Sequence, residues 1–90
     1  MNKADLIEQI AQAAEISKSA AERAVDAFVV SVKTCLRKDE DVTLVGFGTF
    51  YAAKRQARTG RNPRTGESLE IKAARLPKFR AGKGLKDAIN

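Results

Sequence analysis

A chain of 90 residues, 43% hydrophobic and 31% charged, has room for one globular domain and little else. Its single cysteine, Cys35, forbids an intrachain disulfide. The complete lack of histidine removes the usual general base, so a thiol or hydroxyl nucleophile has no second member and no enzyme is expected. The net charge of +6 is unevenly laid down: residues 1–45 hold 6 Lys and Arg against 8 Asp and Glu, whereas residues 46–90 hold 11 against 3. A positive field gathered in one half suits a polyanionic partner, with a merely solvated basic face as the plainer alternative.

In chain order, Asn2 to about Ala14 reads as a helix, with Asn2 as its cap, Asp5 in its first turn, and Leu6, Ile7, Ile10 and Ala14 at helical spacing. This mixed N-terminus carries no apolar run, so neither a signal peptide nor a membrane span is expected, and the cytoplasm is the expected location. Ile16 to Ser19 breaks the pattern. A longer helix follows to about Lys38, with Ser17 or Ser19 as N-cap and Glu22 placed to form a capping box with Ser19. Its stripe of Ala21, Ala24, Val25, Phe28, Val29, Val32, Cys35 and Leu36 is broader than one short helix can cover. This favours a second chain against it over an alanine-rich helix with a few exposed groups.

Asp39-Glu40-Asp41 reads as a solvated turn, not a metal site, and no metal or cofactor is expected. Strand signals then take over: Val42 to Val45, a Gly46-Phe47-Gly48 turn with Phe47 anchoring it in the core, and a strand from Thr49. From Lys54 to Ser68 the chain is mostly polar, and alternation resumes at Leu69-Glu70-Ile71, which makes a long hairpin around a Gly/Pro/Asn-rich tip. A last strand around Ala74 to Phe79 and a short helix from Gly82 or Lys83 to Ile89 complete the order ααβββα, an α+β chain.

The ascending half of the hairpin carries Lys54, Arg55, Arg58, Arg61 and Arg64 and no large aliphatic residue. A segment without apolar groups cannot be core, so it is expected to project as an arm over about residues 52–75, with a body of 1–51 and 76–90. Arginine is the informative choice, because its planar guanidinium forks onto phosphate and fits a narrow, strongly negative minor groove. At the tip, Pro63 is suited to fixing turn geometry, or, more sharply, to entering between base pairs as an apolar wedge. Without a recognition helix, sequence preference should be weak.

Four segments in order, Met-Asn-Lys at 1–3, Leu-Val-Gly-Phe-Gly-Thr-Phe at 44–50, Gly-Arg-Asn-Pro-Arg-Thr-Gly at 60–66 and Phe-Arg-Ala-Gly-Lys-Gly-Leu-Lys-Asp-Ala at 79–88, give the chain a resemblance over its whole length to the bacterial HU family of nucleoid-associated proteins. The resemblance implies an intertwined homodimer, or a heterodimer with a paralogue, with a helical base under a three-stranded antiparallel β-saddle and one long β-ribbon arm per chain. It implies binding to double-stranded DNA, bent, nicked or distorted DNA preferred, with arms in the minor groove and Pro63 intercalating. Arg55, Arg58 and Arg61 match arm contacts, and Lys3 and Lys83 match body contacts. Lys54, Asn62, Arg64, Arg75, Arg80 and Lys86 complete the expected DNA-binding set. The expected dimer core is Val25, Phe28, Val29, Val32, Leu36, Leu44, Phe47, Phe50 and Phe79.

A sequence-specific factor similar to integration host factor would share this pattern, although its relatives usually extend past the final helix, whereas this chain stops at Asn90. Structured RNA is a second possible ligand for a basic ribbon.

Overall fold

The computed structural model describes the backbone of residues 1–90 and the side chains of all but Arg58, Leu69, Glu70 and Ile71. The chain divides into two units, residues 1–34 and 35–90.

In the first unit, α1 (Lys3–Ala14) begins on a complete capping box: the Asp5 amide donates to Asn2 Oδ1 at 2.9 Å and the Asn2 amide to Asp5 Oδ2 at 3.3 Å. Glu15 ends it in the left-handed region, φ 56°, and the Ile16 amide donates back to the Ala11 carbonyl at 3.0 Å. The second helix, α2 (Lys18–Arg37), is capped by Ser17, whose hydroxyl accepts from the Ala20 amide at 3.0 Å. Ser19 lies inside the helix and its hydroxyl accepts from Arg23 Nη1, so the expected Ser19–Glu22 box does not form.

Among the described residues, Ala11 and Ala21 are the buried apolar side chains. Phe28 is 43% exposed, Val29 and Val30 are exposed, and Val25 and Val32 are half-buried. Apolar surface left in water forgoes about 25 cal/mol per Å², so a helix stripe of this breadth is built to be covered.

The second unit holds the end of α2, then β1 (Val42–Leu44), β2 (Gly48–Arg55), β3 (Arg58–Arg61), β4 (Ser68–Ile71), β5 (Ala74–Ala81) and α3 (Lys83–Ile89). An antiparallel sheet of order β1-β2-β5 and a separate β3-β4 ribbon share these strands. The first strand stops at Leu44, one residue sooner than the sequence suggests. Val45, 99% exposed, and Gly46, φ 82°, form the middle of a tight turn closed by the Phe47 amide on the Leu44 carbonyl at 2.9 Å. Gly48 is already in β2, opposite Leu44.

The expected long hairpin is interrupted at 56–57 on one strand and 72–73 on the other. The last pair below the gap is Arg55–Ala74 and the first above it Arg58–Ile71, so two residues are skipped on each side and the register is unchanged. Paired residues share a face and faces alternate along a strand. One face of the three-stranded sheet therefore carries Phe50, Phe79, Ala52, Pro77, Lys54 and Arg75. The other carries Thr43, Thr49, Arg80, Tyr51, Lys78, Ala53, Leu76 and Arg55.

Phe47, Phe50 and Phe79 form the aromatic centre of this unit. Ring centroids are 4.8 Å apart for Phe50–Phe79 and 5.4 Å for Phe47–Phe79, yet Phe47 and Phe79 stay 43% and 41% exposed. A Cβ at Gly48 would lie 2.5 Å from Phe79 Cζ and 2.6 Å from the Arg80 carbonyl oxygen, so glycine is what lets β5 close over β2 here. Gly48→Ala is expected to lose about 1–3 kcal/mol of stability through this overpacking, seen as a lowered urea midpoint with an unchanged slope. An unchanged midpoint would show that the ring and strand move aside freely.

Candidate nucleic-acid interface

The basic residues of the second unit sort by strand parity. On the polar face of the sheet, Arg80 lies over the Tyr51 ring, 5.1 Å from its centroid, with Lys78 directly opposite Tyr51. Thr43 and Thr49, paired across β1 and β2, share a hydrogen bond of 3.3 Å between their hydroxyls. Arg55 belongs to the same face, and its Nη2 donates to the Lys72 carbonyl at 3.0 Å, satisfying a group freed by the ladder gap. Because the register continues, Arg61, six residues on and opposite Ser68, keeps the parity of Arg55. The Arg58 side chain lies outside the described residues.

Lys78 is absent from the set expected on sequence grounds. Its signal is local: in Lys78-Phe79-Arg80 the two cations flank a core aromatic, so strand alternation alone pairs Lys78 with Arg80.

Lys54 and Arg75 stand apart from this group. They are paired with each other on the opposite, aromatic face, where Arg75 Nη1 donates to the carbonyls of Leu36 at 3.2 Å and Arg37 at 3.0 Å, and Lys54 Nζ sits 3.8 Å from Asp39. These groups belong to the end of α2 and its exit turn.

The tip is closed by its own sequence. The Asn62 amide donates to the Glu67 carbonyl at 2.8 Å and the Asn62 carbonyl accepts from the Gly66 amide at 2.8 Å. Asn62 Oδ1 accepts from the Arg64 amide at 2.9 Å. Asn62 is thus half-buried and fully occupied in making the turn. Pro63 and Arg64 are left exposed beside it, and Gly66 takes φ 73° to bring the chain back. Proline fits here because its position supplies no amide to the turn.

Lys83 opens α3 and Lys86 lies in its last turn; both are exposed. Lys83 stands at the positive end of a helix, where a cation gains nothing from the dipole. In the first unit, Lys3 Nζ meets Asp26 Oδ1 at 2.7 Å. That hydrogen bond, with the carboxylate's charge, raises the Lys3 pKa above the ordinary lysine value and keeps it cationic. All nine residues expected in the dimer core are exposed or half-buried in the single chain.

The family model described as "Bacterial DNA-binding protein" matches residues 1–90. The chain is 62% identical over 89 residues to DNA-binding protein HU-beta of Neisseria meningitidis serogroup A, covering 99% of this chain and 100% of that one. It is 59% identical over 90 residues to HU-beta of Escherichia coli K12, covering all of both. Among solved structures it is similar to the Anabaena HU–DNA cocrystal structure, with a TM-score of 0.89, 39% identity and coverage of 99% and 97%. It is also similar to HU from Thermotoga maritima, with a TM-score of 0.70, 28% identity and full coverage of both. A match that runs from the first residue to the last, with the uncovered apolar stripe and the sided basic ribbon, has one reading: this chain belongs to the bacterial HU family of DNA-binding proteins.

Proposed function

We propose that the protein acts as a dimer that binds duplex DNA with little sequence preference and bends it, an architectural role in the bacterial nucleoid. The observation that carries this reading is the sided arrangement of charge. Arg55, Arg61, Lys78 and Arg80 share one parity of an in-register ladder that ends in an exposed Pro63-Arg64 tip. Phosphate contacts from such a ribbon are sequence-blind. Lys3, Lys83 and Lys86 extend the DNA-binding set on the helices, and Arg58 completes it on the arm. Asn62 serves by shaping the tip. The uncovered apolar residues, Phe28, Val29, Leu44, Phe47 and Phe79 among them, are the surface for the second chain.

The arms are placed in the minor groove, where arginine is drawn by narrow-groove potential, and Pro63 is the wedge that unstacks a base step. An architectural role without catalysis fits a sequence that contains no histidine. Among the described residues no helix is long and apolar enough to cross a membrane.

Competition of random duplex against nicked duplex, with end-to-end energy transfer reporting the bend, tests the proposal. Random sequences are expected to bind alike, nicked duplex more tightly. A specific site preferred by more than about a thousandfold would instead indicate a sequence-reading factor. Pro63→Ala is expected to diminish the bend while changing affinity by less than about tenfold, since unstacking involves a few kcal/mol and the charges remain. An unaltered bend in that variant would remove the wedge.

A further inference from the structure

Two of the arm-root cations face away from the DNA-facing side of the ladder, and their partners explain why. Arg75 and Lys54 are directly opposite each other across β2 and β5, one pair below the last rung of the three-stranded sheet. Like charges placed opposite repel. Here both are drawn to the same structure: Arg75 Nη1 is shared between the Leu36 and Arg37 carbonyls, and Lys54 reaches Asp39. Those carbonyls belong to the last turn of α2, where the helix has no further amides of its own to offer and its dipole is negative. Asp39, at φ 64°, is the residue that turns the chain out of the helix.

We propose that Arg75 is a positioning residue for DNA bending: it fastens the root of the arm to the C-terminal end of α2 and so fixes the direction in which the arm leaves the sheet, without touching DNA. Lys54 supports it through Asp39. An arm held in its bound direction loses less freedom on binding, so the fastening favours DNA already bent to match over straight duplex. This role presupposes the DNA-bending function proposed above.

The test uses the whole protein, as Arg75→Ala and as Arg75→Gln. Glutamine is neutral but retains amide donors for the two carbonyls. Each is titrated against nicked and intact duplex of one sequence over a range of salt. The slope of log K against log salt is expected to stay at the wild-type value in both, because position 75 neutralises no phosphate. In Arg75→Ala the preference for nicked over intact duplex is expected to fall about fivefold, with the energy-transfer distribution broadened, and glutamine is expected to restore part of both. A slope reduced by about 0.9 per chain in either variant would make Arg75 a phosphate ligand and overturn the proposal. So would an unchanged preference in both. Should alanine prevent folding, the glutamine variant alone decides on the slope. Wild-type protein without salt-dependent affinity would instead defeat the DNA-binding reading itself, whatever position 75 does.

Discussion

Raising the salt from about 50 to about 200 mM is expected to weaken binding to random duplex by about 10³ to 10⁵-fold, as for a protein that neutralises six to ten phosphates. The exposed cations assigned to DNA, Arg55, Arg61, Arg64, Lys78, Arg80, Lys83 and Lys86, reach that range once two chains act together. Each phosphate neutralised releases condensed counterions, so the affinity is largely an entropy of ion release and salt removes it directly. Arg61→Ala should flatten the slope by about 0.9 for each phosphate no longer neutralised, for every sequence alike. Fluorescence anisotropy across a salt series gives both quantities. A slope near zero would mean that the basic ladder is a solvated surface, and a weakening confined to one sequence would mean that it reads bases.

Phe79→Ala should be the most damaging single truncation. The ring joins Phe50 and Phe47 into one cluster, and removing a large aromatic from a core costs about 3–5 kcal/mol, against a total stability of about 5–15 kcal/mol for an ordinary small domain. Because 41% of Phe79 is exposed in the single chain, the remaining cover must come from the second chain, and folding and association should fail together. Circular dichroism melts at two protein concentrations, with sedimentation, should show a lowered Tm and a loss of dimer. A variant that stays dimeric and melts within a degree or two of the parent would move the interface elsewhere.

Helix positions, the tight turn and the projecting basic hairpin are legible from the sequence because each depends on neighbours: Asn2 with Asp5, Gly46 in its turn, Pro63 within its loop. Whether Ser17 or Ser19 caps α2 is a choice between nearby residues of equal propensity, decided only by where the helix starts. The roles of Lys54 and Arg75 are not legible, because Arg75 meets carbonyls 38 and 39 residues away in sequence and composition registers only its charge. Asn62 reads as a DNA contact since a polar tip residue next to arginine suggests one, while its three turn hydrogen bonds require the closed loop to be seen. Lys78 is hidden by composition, although its alternation with Phe79 reveals it.

The gap in the arm ladder, two residues on each strand, has a consequence for how this family member tolerates change. Equal omissions keep odd and even positions in step, so Arg61 stays on the same side as Arg55. Adding one residue to a single strand there would turn the outer ribbon over, presenting its guanidinium to the wrong flank with composition and net charge almost untouched. Length in this segment is therefore constrained in pairs, and counting arginines says nothing about which way they look.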